Sequence, residues 1–189
     1  MEHSLGEIIQ QEMAGLMDIP PELIAQLESH YQLLLRWNKT LNLTTVVELE
    51  EAARRHYCES LYLSRVLTPG RVCDVGSGAG FPGLIAAIAR PDCNFDLSES
   101  HQRKAVFLRE GSRDLKNVRV IAKRAETLVE EYDWVVSRAV RPSDVLKLNL
   151  ASRVALLIGE EDASQLTGFS VHHLPWGDHR VLAVQAPAG

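Results

Sequence analysis

Val72-Cys73-Asp74-Val75-Gly76-Ser77-Gly78-Ala79-Gly80-Phe81-Pro82-Gly83 is the stretch that decides the fold. Residues 71–75 form a short apolar run of strand type, and residues 82–90 carry helical apolar spacing, so the glycines join a strand to a helix. Four glycines in eight residues let the backbone turn sharply and approach a ligand closely. Residues 78–83 match the G-x-G-x-x-G spacing of dinucleotide-binding loops. Two residues oppose that reading. Asp74 stands two residues before the first glycine, where a carboxylate repels a pyrophosphate and suits an ammonium group. Pro82 removes an N–H from the helix start, where a phosphate needs donors. The loop therefore favours a ligand with a cation and a ribose, such as S-adenosylmethionine, over a nicotinamide dinucleotide.

Working outward, strands and helices alternate. Strand-like runs are expected at 71–75, 95–99, 118–122, 133–137, 154–158, 170–174 and 181–185. Helical windows lie at 82–90, 102–115, 126–130 and 142–150. Such alternation predicts an α/β, doubly wound, mostly parallel sheet with right-handed crossovers. The last two strands have no helix between them and read as an edge hairpin, so the final strand is expected to run antiparallel. Upstream, Leu5, Ile8, Ile9, Met13, Leu16 and Met17 recur at helical spacing, Pro20-Pro21 restarts the helix, and Leu23, Leu27, Tyr31 and Leu34 continue the stripe. A third helix is expected from 48 to 67, closed by Pro69-Gly70. The expected organisation is one domain over 1–189, with a helical extension at 1–67 and a core at 68–189.

Composition narrows the function classes. The chain has 189 residues, 46% hydrophobic and 24% charged, which are ordinary globular values. No run approaches the ~20 uncharged apolar residues of a membrane span. The N-terminus lacks a signal-peptide pattern, so a cytoplasmic location is expected. Three scattered cysteines without a CxxC pair, and histidines without HExxH, predict no metal site. The net charge of −5 argues mildly against a nucleic acid partner. Its distribution weakens that argument: residues 1–70 carry 5 basic and 10 acidic side chains, residues 100–141 carry 10 basic and 6 acidic. Local charge decides binding to a polyanion more than the total does.

Candidate site residues follow from the strand ends. Glu99 closes the second strand, where a carboxylate can accept both ribose hydroxyls. Arg124-Ala125-Glu126 follows the third strand and would face an adenine edge. Arg138 follows the fourth strand, where a planar cation can hold a carboxylate or a phosphate. Lys39, Arg103, Lys104, Arg124 and Arg141 are candidates for a nucleic acid backbone. Trp37 suits a core position beside Leu33 and Leu34 better than base stacking.

Several segments together carry a family resemblance. They are Trp37-Asn38-Lys39-Thr40-Leu41-Asn42-Leu43-Thr44, His56-Tyr57-Cys58-Glu59-Ser60-Leu61, the glycine loop, Glu99-Ser100 with Gln102-Arg103-Lys104, Arg124-Ala125-Glu126 and Ser137-Arg138-Ala139. In this order they resemble the bacterial small-subunit ribosomal RNA guanine-N7 methyltransferases, the RsmG or GidB family. The resemblance covers roughly residues 30–160.

It implies a class I methyltransferase fold, Rossmann-like and seven-stranded, with a helical N-terminal extension. It also implies S-adenosylmethionine as methyl donor and 16S ribosomal RNA or the 30S subunit as partner. Separately, a monomer is expected. Cofactor contacts are implied at Gly76, Phe81, Glu99, Ala125, Glu126 and Arg138, to which the loop reading adds Asp74, Gly78 and Gly80. Arg138 is the candidate catalytic residue. Guanine N7 presents a lone pair and carries no proton, so its methylation requires no general base. The segment after the fourth strand, Ser137-Arg138-Ala139-Val140, agrees: it has no Asn-Pro-Pro-Tyr-like motif for exocyclic amines. The remaining classes are a methyltransferase acting on a small molecule or protein, and a nicotinamide-dependent oxidoreductase.

Overall fold

A computed structural model describes residues 3–185. Ser4 starts the first helix, α1 (Leu5–Glu12), with a reciprocal cap: its hydroxyl accepts from Glu7 N–H, and the Glu7 carboxylate accepts from Ser4 N–H. Pro21 opens α2 (Pro21–Asn38), which buries Leu23, Leu27, His30, Tyr31 and Leu34 along one face. The expected third helix is one continuous rod at 49–64 with a change of winding inside it. It comprises α3 (Leu49–Ala52), a π turn (Ala53–Cys58) and α4 (Glu59–Ser64).

The core alternates as expected: β1 (Gly70–Val75), α5 (Gly83–Ala89), β2 (Cys93–Ser98), α6 (Gln102–Gly111), β3 (Val118–Ile121), β4 (Trp134–Arg138), α7 (Pro142–Lys147), β5 (Val154–Gly159), α8 (Glu160–Ser164), β6 (Ser170–His173) and β7 (Arg180–Gln185). Between β3 and β4 only one 3₁₀ turn forms, at Ala125–Thr127, in place of the expected helix. The seven strands lie in the order β3-β2-β1-β4-β5-β7-β6. The first five are parallel, and β7 runs antiparallel to both β5 and β6. The final strand is thus inside the sheet, not on its rim. Its Val181, Leu182 and Ala183 are fully buried, whereas Ser170-Val171-His172-His173 of β6 is exposed and takes the rim.

Strand periodicity divides the core into two layers. Val72, Phe95, Leu97, Trp134, Val136, Leu157 and Leu182 face α1 to α6. Cys73, Val75, Val135, Val154, Leu156 and Ile158 face α7 and α8. The polar second strand has a physical explanation. Asp96 accepts from Arg119 Nε and Nη2 (2.8 and 2.6 Å), Tyr132 Oη (2.8 Å) and Arg71 Nη2 (3.2 Å), and Glu130 binds both arginines. These partners hold Asp96 below the usual carboxylate range against the opposing effect of its burial.

Candidate functional site

Strand order reverses between β1 and β4, and ligands in open α/β sheets sit at the carboxyl ends of strands at that point. A cavity of about 160 Å³ opens there. Gly76 from the end of β1, Glu99 from β2, Arg124, Ala125 and Glu126 from the turn after β3, and Val140 from the segment after β4 all line it. Gly76 has φ +73°, and a Cβ at that position would stand 2.8 Å from Val140 Cγ2, so only glycine leaves this wall open.

Most of the loop's N–H groups are already engaged. Gly76 and Ser77 donate to Ser98 O (3.0 and 3.1 Å), and Gly80 donates to Ser77 O (2.8 Å). Gly78 donates to Glu99 Oε2 (2.9 Å), and Gly83 donates to Asp74 Oδ2 (3.0 Å). A phosphate cradle needs free, converging N–H groups, and here these five donors point at protein acceptors. The other Glu99 oxygen accepts from His101 N–H at 2.8 Å, so one carboxylate fixes both the loop and the start of α6.

Asp74 lies behind the loop rather than in the cavity. It is fully buried, and burial pushes its carboxyl up to about 7. Its Oδ1 is the one buried side-chain polar atom without a partner among the described residues. Gly80 turns inward: a Cβ there would meet Leu84 and His30.

The remaining expected residues form a second group beneath the helical layer. Phe81 is buried between the rings of His30, His56 and Tyr57, stacked on His56 at 4.4 Å, with the Arg138 guanidinium 5.0 Å above its centroid. Arg138 Nη1 donates to Arg55 O (2.8 Å) and meets His56 Nδ1 (3.0 Å). Its Nε and Nη2 edge has no hydrogen-bond partner among the described residues. Burial lowers Arg138 to about 10, which leaves it cationic at neutral pH. Ala139, the next residue, has φ +64°, a strained conformation of the kind that collects at functional sites.

Arg124 lines the cavity, while Arg103, Lys104 and Arg141 lie on the loops and helix starts at the same end of the sheet. Leu33 and His30 approach Gly111, while Trp37 packs on Phe107. Lys39 is the exposed residue that caps the end of α2. Trp37 also donates to Glu110 at 2.9 Å, which is the core role expected of it.

Two histidines absent from the expected site complete it. His30 Nε2 donates to Ala79 O (3.1 Å) and its Nδ1 accepts from Tyr57 Oη (2.8 Å), so the extension grips the glycine loop. Burial lowers His30 to about 4; burial and then Arg138 lower His56 to about 3. Lone histidines at helical spacing carry no pattern that signals either contact.

These shifts set an acid dependence. Between pH 5 and 6.5 both histidines take up protons in the unfolded chain and remain neutral in the folded one, so stability falls with pH at about 1.4 kcal/mol per unit for each. Asp74, protonated in the folded chain and ionised in the unfolded one over this range, opposes one of them, as does exposed His179 more weakly. The parent should lose about 1 kcal/mol from pH 6.5 to 5. His56→Gln should reduce the slope by one histidine's share. Urea midpoints across this range check it, and identical slopes in the two proteins would exclude a buried neutral His56.

The comparisons with known proteins follow the same geometry. A family model described as GidB, rRNA small subunit methyltransferase G, matches residues 23–157. A protein from Dichelobacter nodosus named ribosomal RNA small subunit methyltransferase G is 40% identical over 140 residues, 71% of this chain and 66% of its own. One of the same name from Methylobacillus flagellatus is 39% identical over 127 residues, 65% of this chain and 62% of its own. The chain thus spans less than two thirds of the length of these relatives. Among solved structures, a methyltransferase from Geobacter sulfurreducens superposes with a TM-score of 0.61 at 16% identity, over 94% of each chain. That likeness shows the fold, the Rossmann-like methyltransferase architecture, on a chain of similar extent. Given the matched residues 23–157, which contain both histidines, the loop, Glu99 and Arg138, this chain belongs to the rRNA small subunit methyltransferase G family.

Proposed function

We propose that the protein methylates guanine N7 of 16S ribosomal RNA with S-adenosylmethionine as donor. The observation that carries this reading is the glycine loop: five of its N–H groups are held internally beside a cavity that ends in Glu99. That arrangement suits a nucleoside bearing a cation and gives a pyrophosphate no cradle. At about 160 Å³ the cavity is smaller than the roughly 300 Å³ that encloses a whole drug-sized ligand, and fits the nucleoside end. Glu99 would hold the ribose, and Ala125 and Glu126 the adenine. Gly76 would hold the amino-acid end, with Asp74 supplying negative charge from behind the loop. When bound, S-adenosylmethionine supplies an activated methyl group; the displacement needs alignment and exclusion of water, and no metal.

The family described as rRNA small subunit methyltransferase G supports ribosomal RNA as acceptor. Arg138 offers the open edge of its fork to a carboxylate or phosphate, and no side chain at the end of β4 can take a proton at neutral pH. This suits an acceptor that has none to give. Lys39, Arg103, Lys104, Arg124 and Arg141 would hold the RNA backbone. In this reading a monomer works in the cytoplasm on 16S RNA or the 30S subunit, with 1–67 as helical extension and 68–189 as methyltransferase core.

The test is transfer of labelled methyl from S-adenosylmethionine to undermethylated 30S subunits, naked 16S RNA and a protein extract, with recovery of 7-methylguanine. Label confined to protein would overturn the reading. Glu99→Ala should weaken S-adenosylhomocysteine binding by about 1.5–3 kcal/mol, the range for hydrogen bonds to a charged group. Calorimetry measures it; tight NADH binding with no response to S-adenosylhomocysteine would return the dehydrogenase reading.

A further inference from the structure

We propose that His56, carried on the π turn of the helical extension, is the positioning residue that sets the orientation of the Arg138 fork. The inference rests on the reading of Arg138 as part of a methyl-transfer site. The π turn creates the first contact. In an α-helix Glu59 N–H would bond Arg55 O, four residues back. Here it bonds Arg54 O instead. Arg55 O thereby loses its ordinary helical partner and accepts Arg138 Nη1 at 2.8 Å.

The imidazole supplies the second contact, and its tautomer follows from its neighbours. Val46 O lies 3.1 Å from Nε2 and can only accept, so Nε2 carries the proton. Nδ1 is then bare and accepts from Arg138 Nη1 at 3.0 Å. Asn38 supports this arrangement: it accepts from Leu43 and Thr44 N–H and donates to Thr44 O, which folds the loop that carries Thr44 and Val46 to the ring. Thr44 Oγ1 also lies 3.0 Å from Nε2. The face of the imidazole stacks on Phe81, at the end of the glycine loop. Nη1 is thus held by two acceptors from the extension, and the free Nε and Nη2 edge is directed by them. The extension is thereby a component of the reaction centre.

Two substitutions separate this role from a merely structural one. Asparagine carries an acceptor at the position of Nδ1 and lacks the reach to Val46. Glutamine carries its amide at the reach of Nε2 and lacks the acceptor for Arg138. Both lose the stacked ring. Single-turnover methyl transfer to 30S subunits should fall about 10–100-fold in His56→Gln and stay within about 3-fold of the parent in His56→Asn, since misplacement of about 1 Å costs up to 10². Thermal melts and S-adenosylhomocysteine calorimetry accompany each rate. If the two variants lose activity together, in proportion to lost stability, or if His56→Gln matches the parent, the positioning role is overturned. The Nη signals of Arg138 in ¹⁵N spectra give a second reading that does not depend on transfer. They should be separate in the parent and in His56→Asn, where rotation of the fork is restrained, and averaged in His56→Gln. Averaged signals in the parent would also overturn the proposal. A parent that transfers no methyl group would sink the methylation reading alone, and the ¹⁵N comparison would then decide the positioning claim.

Discussion

Arg138→Ala is expected to slow single-turnover methyl transfer by about 10²–10³-fold, the scale for losing an oriented charge in a reaction centre, with the fold retained. Arg138 uses one nitrogen to reach Arg55 O and His56, and presents its other edge without a partner among the described residues. Arg138→Lys should recover little, because an ammonium has no second donor at the fork's spacing. Between pH 6 and 9 Arg138 stays cationic and His56 stays neutral, and Asp74, raised to about 7, changes charge. Any rise of the rate with pH should therefore track Asp74 and vanish in Asp74→Asn. A rise that survives that substitution would identify a general base and exclude N7 as the acceptor. A parent-like rate in Arg138→Ala would remove Arg138 from the site.

The largest effect on stability is expected at Arg180. Glu59 on α4 is completely buried, and its carboxylate is met by Arg180 Nε and Nη2 from β7 (3.2 and 2.7 Å). Arg180→Ala would leave that charge buried and unpaired, at a cost of about 3–5 kcal/mol. In a chain of this size that lowers Tm by roughly 6–20 °C. The double variant Glu59→Gln with Arg180→Met should recover most of the loss, because it removes the orphaned charge as well. Urea unfolding of the three proteins measures this, and a loss below 1 kcal/mol in Arg180→Ala would show that water reaches Glu59.

What the sequence displays depends on the distance over which its residues act. The glycine loop, the alternation of strands and helices and the acid at the end of β2 are local patterns, and each stands where it was expected. Helix α8 buries only Ala163 and so carries no apolar stripe that would announce it. The π turn is invisible for another reason: over six residues a widened turn and an ordinary one share nearly the same spacing of buried groups. The contacts that complete the site join residues far apart in the chain. His56 meets Arg138 across 82 positions, and Glu59 meets Arg180 across 121. A single buried histidine or glutamate shows no periodicity that names its partner. Asp74 stands at the end of β1 as expected, but register does not reveal that Gly83 N–H folds back over its carboxyl.

The order of the last three strands bears on how the chain is made. Synthesis delivers β5 first, then β6, then β7, yet β7 lies between the other two. Until residues 180–185 leave the ribosome, β5 has a bare apolar edge and β6 has nothing to pair with. At about 5–20 residues per second, the stretch from Gly159 to Arg180 takes roughly 1–4 s to translate. During that interval the nascent chain presents a hydrophobic strand with one edge unpaired, and Glu59 waits for its counter-ion on the same late segment. The nascent chain is therefore most exposed in that interval, and a ribosome-associated chaperone that shields β5 would then have the most to protect.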